Sequence, residues 1–198
     1  RLDGTFDEAG TRFFRVIDYK TGSAEFSYTD LYYGLKLQLP LYLAAVAAAD
    51  DAAHRALPAG FYYLPVKTPV LEEGLSGEAL LKEVQKAFRL RGVSLKNAEL
   101  LEAGGGPSVA PEKGTGVLGP EDFSAVAEFA RRKAAQTAEA VRTGRAETAP
   151  YRKSKRDTAC ARCDYASVCG FDPAFGGCAY RSVRTVKADA FLEEARHE

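Results

Sequence analysis

The sequence predicts an α/β fold in which a mixed central sheet is flanked by helices and is followed by a cysteine-rich C-terminal segment. Two observations predict the central part. A pair of β-rich runs joined by a short turn opens the chain, and helical and β-rich patterns then follow in the order β-β-α-β-α. This order is typical of a sheet covered by helices. The cysteines predict the C-terminal segment, because all four lie between residues 160 and 178.

The strands are predicted from apolar runs and from the turn residues between them. Residues 1–7 and 12–20 are both β-like, and Gly10 provides a turn signal between them. Together they predict a hairpin. A β-rich run over residues 59–70 predicts a further strand.

Helices are predicted before and after that third strand. Residues 28–50 form a long apolar pattern that begins with Thr29 or Asp30 as a cap, and we expect Pro40 to kink it. Residues 77–92 have the spacing of an amphipathic helix.

The rest of the chain divides by composition. A third helix opens at Pro120, with acidic residues in its first turn, and ends at Gly144. The preceding stretch is rich in Gly and Pro and has no periodicity, which is typical of a flexible loop. The predicted parts are a core at 1–102, the loop at 103–120, the helix at 121–150, and a basic connector with the cysteine segment at 151–198.

Composition excludes some functions and leaves others open. The chain has 198 residues, of which 46% are hydrophobic, so it can bury a core without disulfides. Its longest apolar run, residues 41–49, is far shorter than the roughly 18 residues of a membrane span, and no signal peptide opens the chain. We therefore expect a soluble, cytoplasmic protein without a membrane partner. The chain contains no Met, which indicates a piece of a longer protein.

Positive charge is concentrated in one region although the formal net charge is zero. Residues 131–156 hold nine basic and two acidic side chains, and a phosphate backbone is attracted to such an excess. A solvated helix face explains the charge equally well. The candidate DNA contacts are Arg152, Lys153, Lys155 and Arg156.

The end of the second β-run carries two charged residues that look out of place after an apolar stretch. Residues two apart on a strand share a face, so Asp18 and Lys20 should project together. If the hairpin loop has an even number of residues, Asp3 should join the same face. Two carboxylates and water are ligands that Mg²⁺ or Mn²⁺ prefers. The alternative is a simple Asp–Lys pair at a solvent-facing strand end.

Three segments together resemble the PD-(D/E)XK nucleases of the RecB group: RLD at residues 1–3, VIDYKTG at 16–22, and YYGLKLQLPLYL at 32–43. The resemblance implies that the predicted core is a nuclease core, that Asp3 and Asp18 bind the metal, and that Lys20 orients water and stabilises developing charge. It also implies that Gln38 and Tyr42, which lie on one helical face at i, i+4, support the site.

The four cysteines have the spacing C-x2-C-x5-C-x8-C at positions 160, 163, 169 and 178. Disulfides are rare in the cytoplasm, so a metal is the natural use of these thiols. The choice lies between zinc and an iron–sulfur cluster, and a zinc ribbon usually has two closely spaced pairs.

The stretch PYRKSKRDTACARCDYASVCGFDP, residues 150–173, resembles the AddB-type nuclease domains of bacterial AddAB helicase–nucleases. That resemblance implies that Cys160, Cys163 and Cys169 hold a [4Fe–4S] cluster whose fourth thiolate precedes Arg1, which leaves Cys178 free. It further implies a Mg²⁺-dependent exonuclease that cleaves a single DNA strand during break repair, with an AddA-like partner subunit. The alternatives are a catalytically silent DNA-binding module, a zinc-bound interaction domain and a CRISPR-associated RecB-like exonuclease.

Overall fold

A mixed five-stranded sheet lies at the centre of the protein. The structure is a computed structural model that describes residues 1–22, 25–49, 56–97, 116–145 and 147–197. The strands follow one another across the sheet in chain order, and antiparallel and parallel pairings alternate from β1 to β5. They are β1 Leu2–Phe6, β2 Arg12–Lys20, β3 Leu57–Pro65, β4 Arg91–Leu95 and β5 Val117–Leu118. The predicted fold class is therefore confirmed.

Helices connect and cover these strands. They are α1 Tyr28–Tyr32, α2 Gln38–Ala49, α3 Gly77–Ala87, α4 Pro120–Arg142, α5 Ala166–Cys169 and α6 Ala188–His197. A 3₁₀ helix at Ala159–Arg162 and a short parallel pair, β6 Tyr151–Arg152 with β7 Arg181–Ser182, complete the described elements. The predicted hairpin and the helix that opens at Pro120 are confirmed, although this helix ends at Arg142.

The long first helix predicted over residues 28–50 is wrong, because the chain forms two helices there. Ser27, not Thr29 or Asp30, caps α1, and its hydroxyl accepts a hydrogen bond from the Asp30 amide. Gly34 then adopts a positive φ of 75°, which ends the helix. Pro40 lies in the first turn of α2, where its missing N–H costs nothing, so it does not kink a helix.

Other predicted boundaries differ from the structure in smaller ways. Strand β3 ends at Pro65, short of the predicted residue 70. The amphipathic helix ends at Ala87, and residues 91–95 form β4 instead. The Gly- and Pro-rich loop predicted at 103–120 lies outside the described residues up to 115, and its last residues form β5 and the start of α4 instead. The sequence prediction did not include β4, β5 or α6.

The main core lies between one face of the sheet and helices α2, α4 and α6. Its fully buried side chains come from strand, helix and C-terminal elements alike: Leu31, Leu39, Leu43, Phe61, Val93, Val126, Phe129 and Phe191. The other face carries a smaller cluster of Ile17, Tyr62 and Leu90, and α3 buries none of its residues. Helices α4 and α6 thus share one core with the sheet. The predicted domain boundaries themselves stay a prediction.

Phe191 is the aromatic contact that ties α6 to the core. Its ring lies 4.9 Å from the Phe129 ring and 5.1 Å from the Tyr28 ring, and the side chain is fully buried. We expect Phe191→Ala to destabilise this domain by about 3–5 kcal/mol, since the lost contacts leave a cavity. Hydrogen exchange of the β3 and α4 amides in the full-length protein measures this. The control Phe175→Ala removes a ring that is 67% exposed and should change protection little. Equal effects of the two substitutions would contradict the prediction.

Candidate active site

The candidate active site lies at the C-terminal end of β2. Phe14 and Val16 belong to the main core, and the two-residue period of the strand continues the same face through Asp18 and Lys20. The Lys20 ammonium lies 2.6 Å from Asp18 Oδ2, so the structure brings these two predicted site residues together. The pair lies where β2 leaves the part of the sheet that the helices cover.

Helix α2 places Gln38 and Tyr42 beside this pair. The Gln38 carbonyl oxygen accepts a hydrogen bond from Lys20 Nζ at 3.2 Å, and its amide nitrogen donates to the Tyr42 hydroxyl at 3.1 Å. These two bonds fix the orientation of the Gln38 amide, because one end requires an acceptor and the other a donor. The expected proximity of Gln38 and Tyr42 to the charged residues is therefore found, with Gln38 in direct contact and Tyr42 one bond further.

Tyr63 is a site residue that sequence reasoning missed. It pairs with Asp18 in the parallel ladder between β2 and β3, and Lys20 Nζ lies 5.3 Å from the centre of its buried ring, within the range of a cation–π interaction. Burial and, after it, the negative charges of Asp18 and Asp30 raise the pKa of Tyr63 above its ordinary value. No sequence spacing relates residue 63 to residue 20, so only the strand register reveals this contact.

Asp3 does not lie where the sequence analysis expected it. The hairpin loop, Asp7–Thr11, has five residues, so Asp3 pairs with Arg15 and faces away from Asp18. Its carboxylate contacts Arg1 at 2.6 Å and Arg15 at 3.3 Å. The expectation that Asp3 shares the face of Asp18 and Lys20 is therefore wrong.

The odd loop length follows from local hydrogen bonds. One Asp7 carboxylate oxygen accepts from the Thr11 amide at 2.7 Å, and the Asp7 carbonyl accepts from the Gly10 amide at 3.0 Å. Gly10 has a φ of 80°, which favours glycine at this position. The turn is thus closed by the Asp7 side chain, a feature that loop composition alone does not reveal.

The Asp18 carboxylate fits a divalent cation in its chemistry. Its Oδ2 atom is buried and receives no hydrogen bond of acceptable geometry, although the Lys20 ammonium lies close to it. A buried carboxylate oxygen without a directed donor is costly unless a cation compensates it. Mg²⁺ is typically bound by one or two carboxylates together with waters and substrate phosphates. The described residues contain no group of three or more His, Cys, Asp or Glu side chains placed to hold a metal, and the role of Asp18 as a metal ligand stays a prediction.

The cysteine segment is a loop whose two ends are joined by β6 and β7. Cys160 lies on the 3₁₀ helix, Cys163 directly follows it, and Cys169 ends α5. All four thiols are free, with Cys163 and Cys169 exposed. Thiols are the donors that an iron–sulfur cluster requires. In the part of the chain that the structure describes, however, no three of these thiols converge on one point where a metal could bind.

Aromatic side chains pack around Cys160. The ring of Tyr180 lies 4.8 Å from that of Phe171, and the Arg152 guanidinium lies 5.0 Å from the Tyr180 ring centre. A hydrogen bond with the Cys160 thiol is the main factor that raises the pKa of Tyr180. One of the predicted DNA contacts, Arg152, thus also packs within the cysteine segment.

Much of the basic stretch is already paired. Ion pairs join Arg131 to Glu128 at 2.7 Å, Arg142 to Glu139 at 2.6 Å and Arg145 to Glu147 at 3.1 Å. Lys133 lies over the rings of Phe129 and Tyr32. The local charge excess counted from the sequence therefore overstates what a DNA strand would meet.

Lys153, one of the four predicted DNA contacts, forms an ion pair within the protein. Its ammonium lies 2.5 Å from a carboxylate oxygen of buried Asp30, which lies far away in the sequence. Lys155 and Arg156 are exposed on the bend that follows. The role of these four residues as DNA contacts stays a prediction.

None of the helices in the described ranges combines the length and apolarity of a membrane span.

A comparison with known protein families agrees with the fold. Residues 1–170 match the model of the PD-(D/E)XK nuclease superfamily, and this chain belongs to that superfamily. The resemblance to RecB-group nucleases inferred from three short motifs is thereby confirmed.

Comparison with curated relatives shows which proteins of this superfamily the chain resembles. The chain is 30% identical to an ATP-dependent helicase/deoxyribonuclease subunit of Alkaliphilus metalliredigens, over 100% of the chain and 19% of that protein. It is 34% identical to the protein of the same name from Moorella thermoacetica, over 91% of the chain and 17% of that protein, and 32% identical to the one from Clostridium tetani, over 100% and 19%. The chain thus spans less than a fifth of the length of these relatives, and the resemblance to AddB-type domains is confirmed.

Proposed function

We propose that this chain is a Mg²⁺-dependent exonuclease domain that hydrolyses phosphodiester bonds of a single DNA strand. The observation that carries the proposal is the buried Asp18 Oδ2 atom, which receives no hydrogen bond of acceptable geometry although the Lys20 ammonium lies 2.6 Å away at the C-terminal end of β2. Desolvation of such a charged pair costs stability that the mutual attraction of the two groups does not fully offset. A divalent cation would add positive charge beside Asp18, and a phosphate would add negative charge beside Lys20.

Each residue at the site has a separate role in the proposed reaction. When bound, the metal would polarise a phosphoryl oxygen and acidify a water molecule. Asp18 binds this cation, and Lys20 donates hydrogen bonds to the attacking water and to the oxygens on which negative charge develops. Gln38 holds the Lys20 ammonium from one side and the Tyr63 ring faces it from another. This support restricts the long lysine side chain before the substrate arrives.

The biological setting is proposed from the relatives. Their name describes an ATP-dependent helicase and deoxyribonuclease, and this chain contains no G-x-x-x-x-G-K-[ST] motif for binding ATP. We infer that the domain acts in the cytoplasm on DNA unwound by a helicase motor outside these residues, with an AddA-like partner subunit, during double-strand break processing and recombinational repair.

We also propose a [4Fe–4S] cluster on Cys160, Cys163 and Cys169, with the fourth thiolate from outside residues 1–198. The proposal is supported by the C-x2-C-x5-C spacing shared with AddB-type domains and by four free thiols in the described structure. The β6–β7 pair already brings the ends of this loop together. A cluster would make the loop rigid, so its role is structural.

The first prediction tests the active site in the full-length protein. We expect Asp18→Ala to slow cleavage of end-labelled single-stranded DNA by at least about 10²-fold, or about 3 kcal/mol of barrier, because it removes the metal ligand. DNA binding should persist. Wild-type cleavage by this variant would overturn the assignment of Asp18 to the active site.

Asp3→Ala is the matched comparison for that experiment. It also removes a carboxylate from the hairpin, but one that faces away from Asp18 and pairs with Arg1 and Arg15. With this register, Asp3→Ala should slow cleavage much less than Asp18→Ala. A loss as large as that of Asp18→Ala would instead establish Asp3 as a second ligand, which requires a hairpin register shifted by one residue.

A further prediction concerns DNA affinity. Replacing Arg152, Lys155 and Arg156 by Gln should weaken binding regardless of sequence and flatten the slope of log K against log salt by about two, as expected for three phosphate contacts to a single strand. Lys86→Gln serves as the control, because it removes an exposed positive charge on α3, outside the basic stretch. An unchanged slope would identify the basic stretch as an ordinary solvated surface.

The cluster proposal predicts colour and metal content. Anaerobically purified full-length protein should be brown and contain about four irons, as a [4Fe–4S] centre holds. Cys163→Ala should lose the iron and lower both stability and DNA binding, whereas Cys178→Ser should keep all three near wild type. A colourless protein with one zinc that Cys178→Ser loses would identify a local four-cysteine zinc site.

A further inference from the structure

Asp30 is a buried carboxylate on α1 that the proposed chemistry does not use. The residue is only 5% exposed, and a carboxylate taken out of water in this way must be paired with positive charge. Of the charged residues in the described chain, only Asp30 is buried to this degree. Its position therefore requires an explanation.

Two ammonium groups from different parts of the chain meet on this carboxylate. Lys36, in the loop between α1 and α2, contacts one oxygen at 3.2 Å, and Lys153, at the start of the cysteine segment, contacts the other at 2.5 Å. Both lysine side chains are about one-third exposed, while the Asp30 side chain is 7% exposed. The carboxylate thus connects the cysteine segment to the loop before α2.

The backbone of Asp30 fixes the same loop. Its carbonyl accepts hydrogen bonds from the Leu35 amide at 2.7 Å and the Lys36 amide at 3.3 Å. Two residues after Lys36, Gln38 opens α2 and accepts the hydrogen bond from Lys20. The loop conformation that Asp30 enforces therefore determines where the Gln38 amide lies relative to Lys20.

The cysteine segment and the chain after it dock on α1 at neighbouring positions. The Thr29 hydroxyl accepts from the Val186 amide at 3.0 Å and donates to the Val186 carbonyl at 3.2 Å. The Tyr33 hydroxyl accepts from the Arg184 amide at 3.3 Å. These bonds hold the returning chain in place, so the Lys153 ammonium is positioned from both ends of the cysteine segment.

We propose that Asp30 is a positioning residue that couples docking of the cysteine segment, through Lys153, to the placement of Gln38 beside Lys20. The proposal rests on the nuclease function proposed above and assigns to the segment a role in ordering the site in addition to its own stability. Loss of the Lys153 contact leaves the Asp30 carboxylate with half of its compensation. The α1–α2 loop then loosens, and Lys20 loses a fixed partner.

The test uses Lys153→Gln and Asp30→Asn in the full-length protein, with hydrogen exchange followed by mass spectrometry. Both variants should speed exchange of the amides at residues 33–37 by roughly three- to thirtyfold, the range of coupling through contacting residues. Glu128→Gln breaks an exposed ion pair on α4 and should leave this loop unchanged. Exchange that rises only at residues 151–158 in Lys153→Gln would overturn the proposal.

Single-turnover cleavage with saturating DNA provides the second measurement. Each variant should cleave more slowly by a similar factor with unchanged DNA affinity, and the double variant should be no slower than either single one. Weaker DNA binding by Lys153→Gln but not by Asp30→Asn would overturn the proposal and identify Lys153 as a phosphate contact. Should Asp30→Asn fail to fold, Lys153→Gln decides alone.

Failure of the proposed function gives a different result. If wild-type protein does not cleave DNA, the nuclease assignment fails, and if Asp18→Ala cleaves normally, the active-site assignment fails. In both cases the exchange measurement still reports the coupling. If Asp18→Ala is inactive and Lys153→Gln cleaves at the wild-type rate, the nuclease assignment stands and the positioning role of Asp30 fails.

Discussion

The parallel pairing of β2 with β3 is the interaction on which the rest of the structure depends. It places β2 between two neighbours, so every second side chain must enter the helical core while the others face the opposite side. Phe14 and Val16 point into that core, and Asp18 and Lys20 project in the same direction because they lie on the same face of the strand. The same ladder brings Tyr63 level with Asp18. Thus the register of one strand pair aligns the core and the charged site together.

The parallel pairing also requires a crossover, and α1 and α2 provide it. A crossover that covers the sheet must bury its apolar side, which Leu31, Leu39 and Leu43 do. Its start must in turn be held to the rest of the protein, and Asp30 and Thr29 on α1 do this through Lys153 and Val186. Buried apolar packing therefore sets where the helices lie, and a small number of polar contacts sets how the loop between them is shaped.

The features of this fold that depend on residues close together in the sequence could be predicted from the sequence. The hairpin, the helix from Pro120 and the convergence of Asp18 with Lys20 follow from strand period, capping residues and turn signals. The predicted face of Asp3 was wrong because it depended on whether the loop length is odd or even, and the Asp7 side chain decides that. The contacts of Tyr63 and Lys153 could not be predicted, since each joins residues that only the folded topology brings together. The ion pairs between bases of α4 and the acids three residues before them were predictable from the sequence, whereas the burial of Asp30 was not.

Helix α1 has a consequence for the order in which the protein assembles. At five residues it is far too short to persist alone in water, and its hydrogen bonds to Arg184 and Val186 span 151 and 157 residues of chain. Contacts that close such long loops form late, because the entropy of closure is lost before the contacts stabilise anything. Synthesis proceeds from the N-terminus, so β2 with its charged end is made long before the partners of α1 leave the ribosome. The candidate active site is consequently among the last parts of the domain to take its final shape, although Asp18 and Lys20 are among the first twenty of these 198 residues to be synthesised.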